Sequence, residues 1–156
     1  MRSLPLVLVL SCLLAACGEA KPGAVAGDVF LAVDLGNEQS LANARVSLLA
    51  DDPELDSTLA KLCPKSAAER GSAWEGRARI LGALVRKATV SDANARFAFD
   101  SVAPGRYRLW ADTTLKGERW TWLHPVKVEA GDTARVTLSN DNPDENPFRC
   151  DRSIPK

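Results

Sequence analysis

The chain has 156 residues, with 20 acidic and 20 basic side chains, one histidine and four cysteines. A balance of this kind leaves no basic stripe for phosphates, so nucleic acid and a polybasic membrane patch are excluded as partners. One histidine rules out a histidine-rich hydrolase centre, and with Cys63 and Cys150 as the cysteines expected to remain free of the signal and of lipid it falls short of a zinc ligand set; the length suits one domain with a sizeable core.

The first segment in chain order reads as an address. Arg2 supplies a positive start and Leu4 to Leu14 is an apolar run shorter than the roughly 20 residues that span a bilayer. Ala15 and Ala16 are small residues directly before Cys17. Leu14-Ala15-Ala16-Cys17 resembles the signal of bacterial lipoproteins. The resemblance implies removal of residues 1–16, a diacylglyceryl group on the Cys17 thiol, a palmitate-type acyl chain on the new amino terminus, and attachment to the membrane by lipid. The alternative is an ordinary secretory signal in which Cys17 is incidental. Gly18, where an aspartate would retain the protein, points by the Gram-negative sorting pattern to the outer membrane of the cell envelope, with the domain facing the periplasm. Cys12 leaves with the signal. Cys63 and Cys150 then remain as a pair in an oxidising compartment, where a disulfide is expected; closing so long a loop is worth about 4 kcal/mol in the chain-entropy picture.

Residues 17–26, rich in Gly, Ala, Lys and Pro, read as the lipidated N-terminus and a tether. The folded unit is expected over 27–140. Val29, Leu31 and Val33 alternate along a strand that ends at Gly36-Asn37, and Ala44 to Ala50 alternates through Val46 and Leu48. Residues 52–86 then read as a helical insertion. Asp52-Pro53 is a helix start, Leu55, Leu59 and Leu62 share one face, and Pro64 is a stop. Ser66 with Glu69, or Ser72 with Glu75, offers a capping box for a second helix striped by Trp74, Ala78, Leu81 and Val85 and weakened by Gly71, Gly76 and Gly82. Alternation returns at Ala88 to Val90, Phe97 to Phe99, Arg106 to Asp112, Trp120 to Val128 and Ala134 to Leu138. The turns between them fall at Asp92 to Ala95, Pro104-Gly105 (type II, glycine at positive φ) and Gly131-Asp132. This pattern predicts an all-β antiparallel sandwich of about seven strands, with the helical insertion between the second and third. Residues 141–156 read as a tail tied down by Cys150. Its Asp141, Asp144 and Glu145 are interrupted by Pro143 and Pro147 and match no calcium loop.

Five motifs in order carry a resemblance across residues 27–138, the insertion apart. They are Gly27-Asp28-Val29, Leu41-Ala42-Asn43-Ala44-Arg45-Val46, Ser91-Asp92-Ala93-Asn94-Ala95-Arg96-Phe97, Ala103-Pro104-Gly105-Arg106-Tyr107 and Val126-Lys127-Val128-Glu129-Ala130-Gly131. Together they resemble the carboxypeptidase regulatory-like domain. The resemblance implies a transthyretin-like β-sandwich without catalysis, a folding or interaction module of secreted and surface proteins. Ala95 stands where that family usually has glycine, so Asn94 is expected to take the left-handed conformation.

Transthyretin-like hydrolases and intradiol-type dioxygenases need several histidines or paired tyrosines, and this chain has one of each residue. His124 precedes Pro125 at an expected strand end, and no nucleophile elbow accompanies it. No catalytic residue, cofactor or metal is assigned. Trp120 and Trp122 share the phase of Val126 and Val128 and are expected in the core. Trp110 falls on the opposite face of its strand, with Arg106, Arg108 and Asp112. It is either an exposed stacking platform, with Arg106 and Arg108 as ligand or partner contacts, or it is covered by Leu55, Leu59 and Leu62; the leucines' need for an apolar partner favours cover. The expected function is a non-catalytic, membrane-anchored binding or scaffolding module with an envelope protein partner. The alternatives are an envelope glycan-binding module, or a lipoprotein subunit of a secretion machine such as the type VI system, whose outer-membrane lipoprotein also resembles transthyretin with added helices.

Overall fold

Alternating apolar residues build strands on both sides of a helical excursion, and a computed structural model describes residues 20–34, 37–63 and 67–140. Among them lie β1 (Gly23–Asp34), β2 (Asn37–Ser40), β3 (Arg45–Ala50), α1 (Leu55–Lys61), α2 (Arg70–Leu84), β4 (Val85–Val90), β5 (Arg96–Val102), β6 (Gly105–Leu115), β7 (Glu118–Val128) and β8 (Thr133–Leu138). One sheet gathers β2, β5 and β8 around the long β1. Strand β5 pairs antiparallel with its first half, β2 antiparallel with its second half, and β8 runs parallel along Ala24 to Val29. Asn140 continues the ladder past β8: its Oδ1 accepts the Ala32 amide at 2.7 Å and its Nδ2 donates to the Ala32 carbonyl at 2.9 Å. The other sheet is antiparallel in the order β4-β3-β6-β7.

The sheets close on a core of Val25, Val29, Leu31, Val46, Leu48, Phe97, Phe99, Leu109, Trp122 and Val126. Trp122 is buried there and Trp120 packs against the same core, as their shared phase predicts. The sandwich with a helical insertion therefore stands, with three differences in detail. Asn37–Ser40 has no apolar alternation and pairs through its backbone alone, so it is an extra strand and the insertion falls between the third and fourth. The β1–β8 pair is parallel where the sequence predicts only antiparallel pairing. The expected tether ends early, because β1 begins at Gly23.

That last difference has a steric cause. A Cβ on Gly23 would lie 2.5 Å from the Glu129 carbonyl oxygen, and one on Gly27 would fall on the carbonyl of Val136. The small residues that suggested a flexible linker are there because β1 passes close to its neighbours. The turn before β5 also differs from expectation. Ala95 itself takes the left-handed conformation at φ 62°, and Asn94 does not. Asp92 Oδ1 accepts the amides of Asn94 and Arg96, each at 2.8 Å, and the Ala95 amide donates to the Asp92 carbonyl at 2.9 Å, which fixes the backbone around Ala95. Nor does Gly105 use positive φ; it opens β6, and the left-handed residue on this side is Ser101 at φ 53°.

In the insertion, Asp52 Oδ1 accepts the Glu54 amide at 2.9 Å just ahead of α1. Helix α2 runs unbroken through Gly71, Gly76 and Gly82. Ser72 lies inside it and donates to the Glu69 carbonyl at 3.0 Å instead of capping, while Ser66 is outside the described residues. Among the described residues no helix is long and apolar enough to cross a membrane.

Two glycines separate packing from propensity. Gly27→Ala is expected to cost about 3 kcal/mol by forcing β1 away from β8. Gly82→Ala, with nothing within 4 Å of the added carbon, is expected to gain about 0.5–1 kcal/mol. Urea denaturation of both variants checks the opposite signs.

Candidate functional site

The surface expected from Trp110, Arg106 and Arg108 is occupied by the insertion. Trp110 is only 5% exposed and packs with Leu49, Leu55, Leu59, Leu81 and Leu123 in a second core between the helices and the outer face of the β4-β3-β6-β7 sheet. Its Nε1 donates to Thr121 Oγ1 at 3.1 Å, which in turn donates to the Ala111 carbonyl at 3.1 Å. The covered alternative therefore holds, and the ring is closed to a stacking ligand. Arg108, with 16% of its side chain exposed, donates to Asp51 Oδ1 at 3.3 Å and to Asp56 Oδ2 at 3.0 Å. Arg106 donates to Asp51 Oδ2 at 3.1 Å but is 80% exposed. The two arginines thus tie the start of the insertion to β6.

His124 sits within β7, opposite Leu109, where a strand end is predicted. Pro125 is tolerated beside it because β7 is a sheet edge. Cys63 follows α1, and its Sγ accepts from Arg77 Nη2 at 2.9 Å; burial pushes the Arg77 guanidinium below its ordinary pKa. Cys17, Cys150 and the acidic tail lie outside the described residues. Among the described residues no histidine, cysteine and carboxylate group has the arrangement of a metal site.

What stays open is a groove of about 870 Å³ on the outer face of the other sheet. Register places Arg135, Ala26 and Ala98 in one cross-strand row and Thr137, Asp28 and Arg96 in the next. Ala26 and Ala98 are small, and Arg96 and Arg135 line the groove beside Asp28. Neither Arg96 nor Arg135 makes an ion pair or side-chain hydrogen bond among the described residues, while Asp28 Oδ1 accepts from Thr137 Oγ1 at 3.3 Å. Asn94, Thr89 and the exposed Val90 border one end. Forked cationic donors around a carboxylate on a small-residue floor suit a polar ligand with anionic or hydroxyl groups.

A second polar row lies on the opposite sheet, just beyond the helical cover. There Asp112 stands between Arg45 and Thr121 in register, with Arg119 one diagonal step away. Burial pushes the Asp112 carboxyl above its ordinary range, and the charges of Arg45 and Arg119 pull the other way more weakly.

No protein-family model matches the chain, and no curated protein does. Solved structures do. A proposed carbohydrate-binding protein from Pseudomonas aeruginosa superimposes with a TM-score of 0.54 at 23% identity, over 80% of this chain and 92% of that one. The chain shares its sandwich fold. The minor pilin GBS52 of Streptococcus agalactiae aligns with a TM-score of 0.47 at 14% identity, over 77% of this chain and 44% of the pilin, so this chain spans less than half of the pilin's length.

Sequence reasoning put the functional weight on Trp110 and missed Arg96, Arg135 and Asp28. Asp28 and Arg96 lie in two of the five motifs and Arg135 in none, and only the pairing of β1 with both β5 and β8 brings the three together.

Arg108→Ala is expected to destabilise the fold by about 2 kcal/mol, with a red shift of tryptophan emission as the helices loosen over Trp110. Arg106→Ala should stay within about 0.5 kcal/mol of the parent. Because the folded state raises the Asp112 pKa, ionising it costs stability as pH climbs from the unfolded value through the folded one. Asp112→Asn should therefore melt higher than the parent at neutral pH, and the difference should vanish below the unfolded pKa near 3.8. Melting curves between pH 3 and 7 test the sign.

Proposed function

We propose that the protein is a non-catalytic binding module of the bacterial cell envelope, anchored in the outer membrane by lipid on Cys17, with its sandwich domain facing the periplasm. The observation that carries this reading is the groove over Ala26 and Ala98, where Arg96 and Arg135 spend no guanidinium donor on a partner among the described residues. The lipoprotein-like segment before Cys17 supports the anchor. The order of the five sequence motifs on a sandwich frame supports a carboxypeptidase regulatory-like domain. A Cys63 to Cys150 bridge belongs to the same reading.

In this reading a partner protein of the envelope docks on the groove. Envelope glycan is the second reading. It is favoured by the polar, small-floored groove and by the carbohydrate-binding role proposed for the Pseudomonas aeruginosa protein of the same fold. The loss of Trp110 to the second core removes the stacking surface on which a glycan site at Arg106 and Arg108 would depend.

Crosslinking in intact envelopes tests both parts. The parent should fractionate with membranes and capture one discrete partner, and Cys17→Ser should lose the membrane fraction. An Arg96→Ala, Arg135→Ala double variant should stay anchored yet lose the partner. Membrane retention of Cys17→Ser would sink the anchor, and partner capture by the double variant would sink the groove. Recovery of glycan fragments in place of a protein would move the reading to the glycan module.

A further inference from the structure

The helical insertion covers Leu49, Trp110 and Leu123 but stops short of the next cross-strand row, which holds Arg45, Asp112 and Thr121. Two features of this row are unusual for a solvated sheet face. Its carboxylate is half-buried and, among the described residues, takes part in no hydrogen bond or ion pair. The arginines beside it, Arg45 in the row and Arg119 one diagonal step away, lie against indole rings instead: the Arg119 guanidinium is 4.4 Å from the centroid of Trp74, and that of Arg45 is 6.0 Å from the centroid of Trp110. Stacking on an aromatic face holds a guanidinium plane in place and leaves its N–H edges free to donate.

We propose that Arg45, Asp112 and Arg119 form a binding site for an acidic saccharide, a sugar unit bearing a carboxylate beside free hydroxyls. The chemistry selects that class by elimination. A simple anion would satisfy the two arginines but leave Asp112 without a donor and facing a like charge. A cation would answer Asp112 and be repelled by the arginines. A uronic-acid-type ring offers its carboxylate to the guanidinium forks and adjacent hydroxyl donors to Asp112, so every unspent group is used. Arg45 directly opposes Asp112 at about 5 Å and Arg119 lies on the diagonal at roughly 7–8 Å, a spread that one sugar ring lying on the sheet can bridge. The site is on the opposite sheet from the groove and does not depend on it.

Calorimetric titration of the intact protein in detergent with tetragalacturonate, and with neutral cellotetraose for comparison, tests the site at low and high salt. Saturable binding of tetragalacturonate alone is expected, weakened by salt. Arg45→Ala, Arg119→Ala and Asp112→Ala should each weaken it by about tenfold or more. Arg119→Lys, which keeps the charge and drops the fork, should fall between Arg119→Ala and the parent, and unchanged tryptophan emission will show that it folds. Lys127→Ala, at an exposed lysine paired with Glu129, should leave binding unchanged. The proposal is overturned by any of four results: no binding of tetragalacturonate, equal binding of cellotetraose, competition by free amino acids, or a loss confined to Arg135→Ala, which would place the sugar in the groove.

Discussion

The β4-β3-β6-β7 sheet carries an apolar patch on each face, and the arrangement of the molecule follows from that. Its inner face gives Val46, Leu48, Leu109 and Trp122 to the sandwich, and its outer face presents Leu49, Trp110 and Leu123. An antiparallel sheet usually leaves one face to water; with a tryptophan at the centre of the second face, that option is closed. Burying an aromatic side chain of this size removes roughly 150–250 Å² from water, on the order of 4–6 kcal/mol as an upper bound. The ion pairs of Arg108 with Asp51 and Asp56 are worth less than that. Apolar cover therefore supplies the energy that holds α1 and α2 down, and the arginine clamp fixes where α1 begins.

Much of this was legible in the sequence. Period-two runs located the main strands, the Asp52-Pro53 start and the leucine spacing located the first helix, and the odd phase of Trp110 pointed to a second covered face. The failures share a cause: each depends on a neighbour distant in sequence. Gly23 looks like a linker residue until the carbonyl of Glu129 lies beside it. Ala95 tolerates its positive φ because Asp92 holds the turn through three hydrogen bonds, which composition does not reveal. The short β2 has no apolar signal, since its partner is backbone. The polar rows escaped for the same reason. Arg96, Asp28 and Arg135 come from three strands, as do Arg45, Asp112 and Arg119, and only register makes them neighbours.

A neutral total charge hides this local structure. Each sheet carries on its outward face a carboxylate flanked by two arginines, one row in a groove and one at the rim of the helical cover. Balanced sums arise readily from such mixed constellations, so the composition that excludes phosphate-backbone binding leaves room for small, mixed-charge ligands. The insertion shapes both the closed and the open parts of its sheet: by ending where it does, it seals Trp110 into the second core and leaves Asp112 half-covered, with no hydrogen-bond partner among the described residues.

The parallel pairing of β1 with β8 has a kinetic side. The first strand of the domain finishes one of its edges only with the last, so the chain must close a loop of nearly the whole domain before that ladder forms, an entropic cost that slows folding. Until Thr133–Leu138 arrives, β1 shows an open edge lined by Gly27 and Asp28, residues that pair poorly with a stray strand. The close approach that excludes a side chain at Gly27 in the finished fold thus also makes the waiting edge a weak template for aggregation.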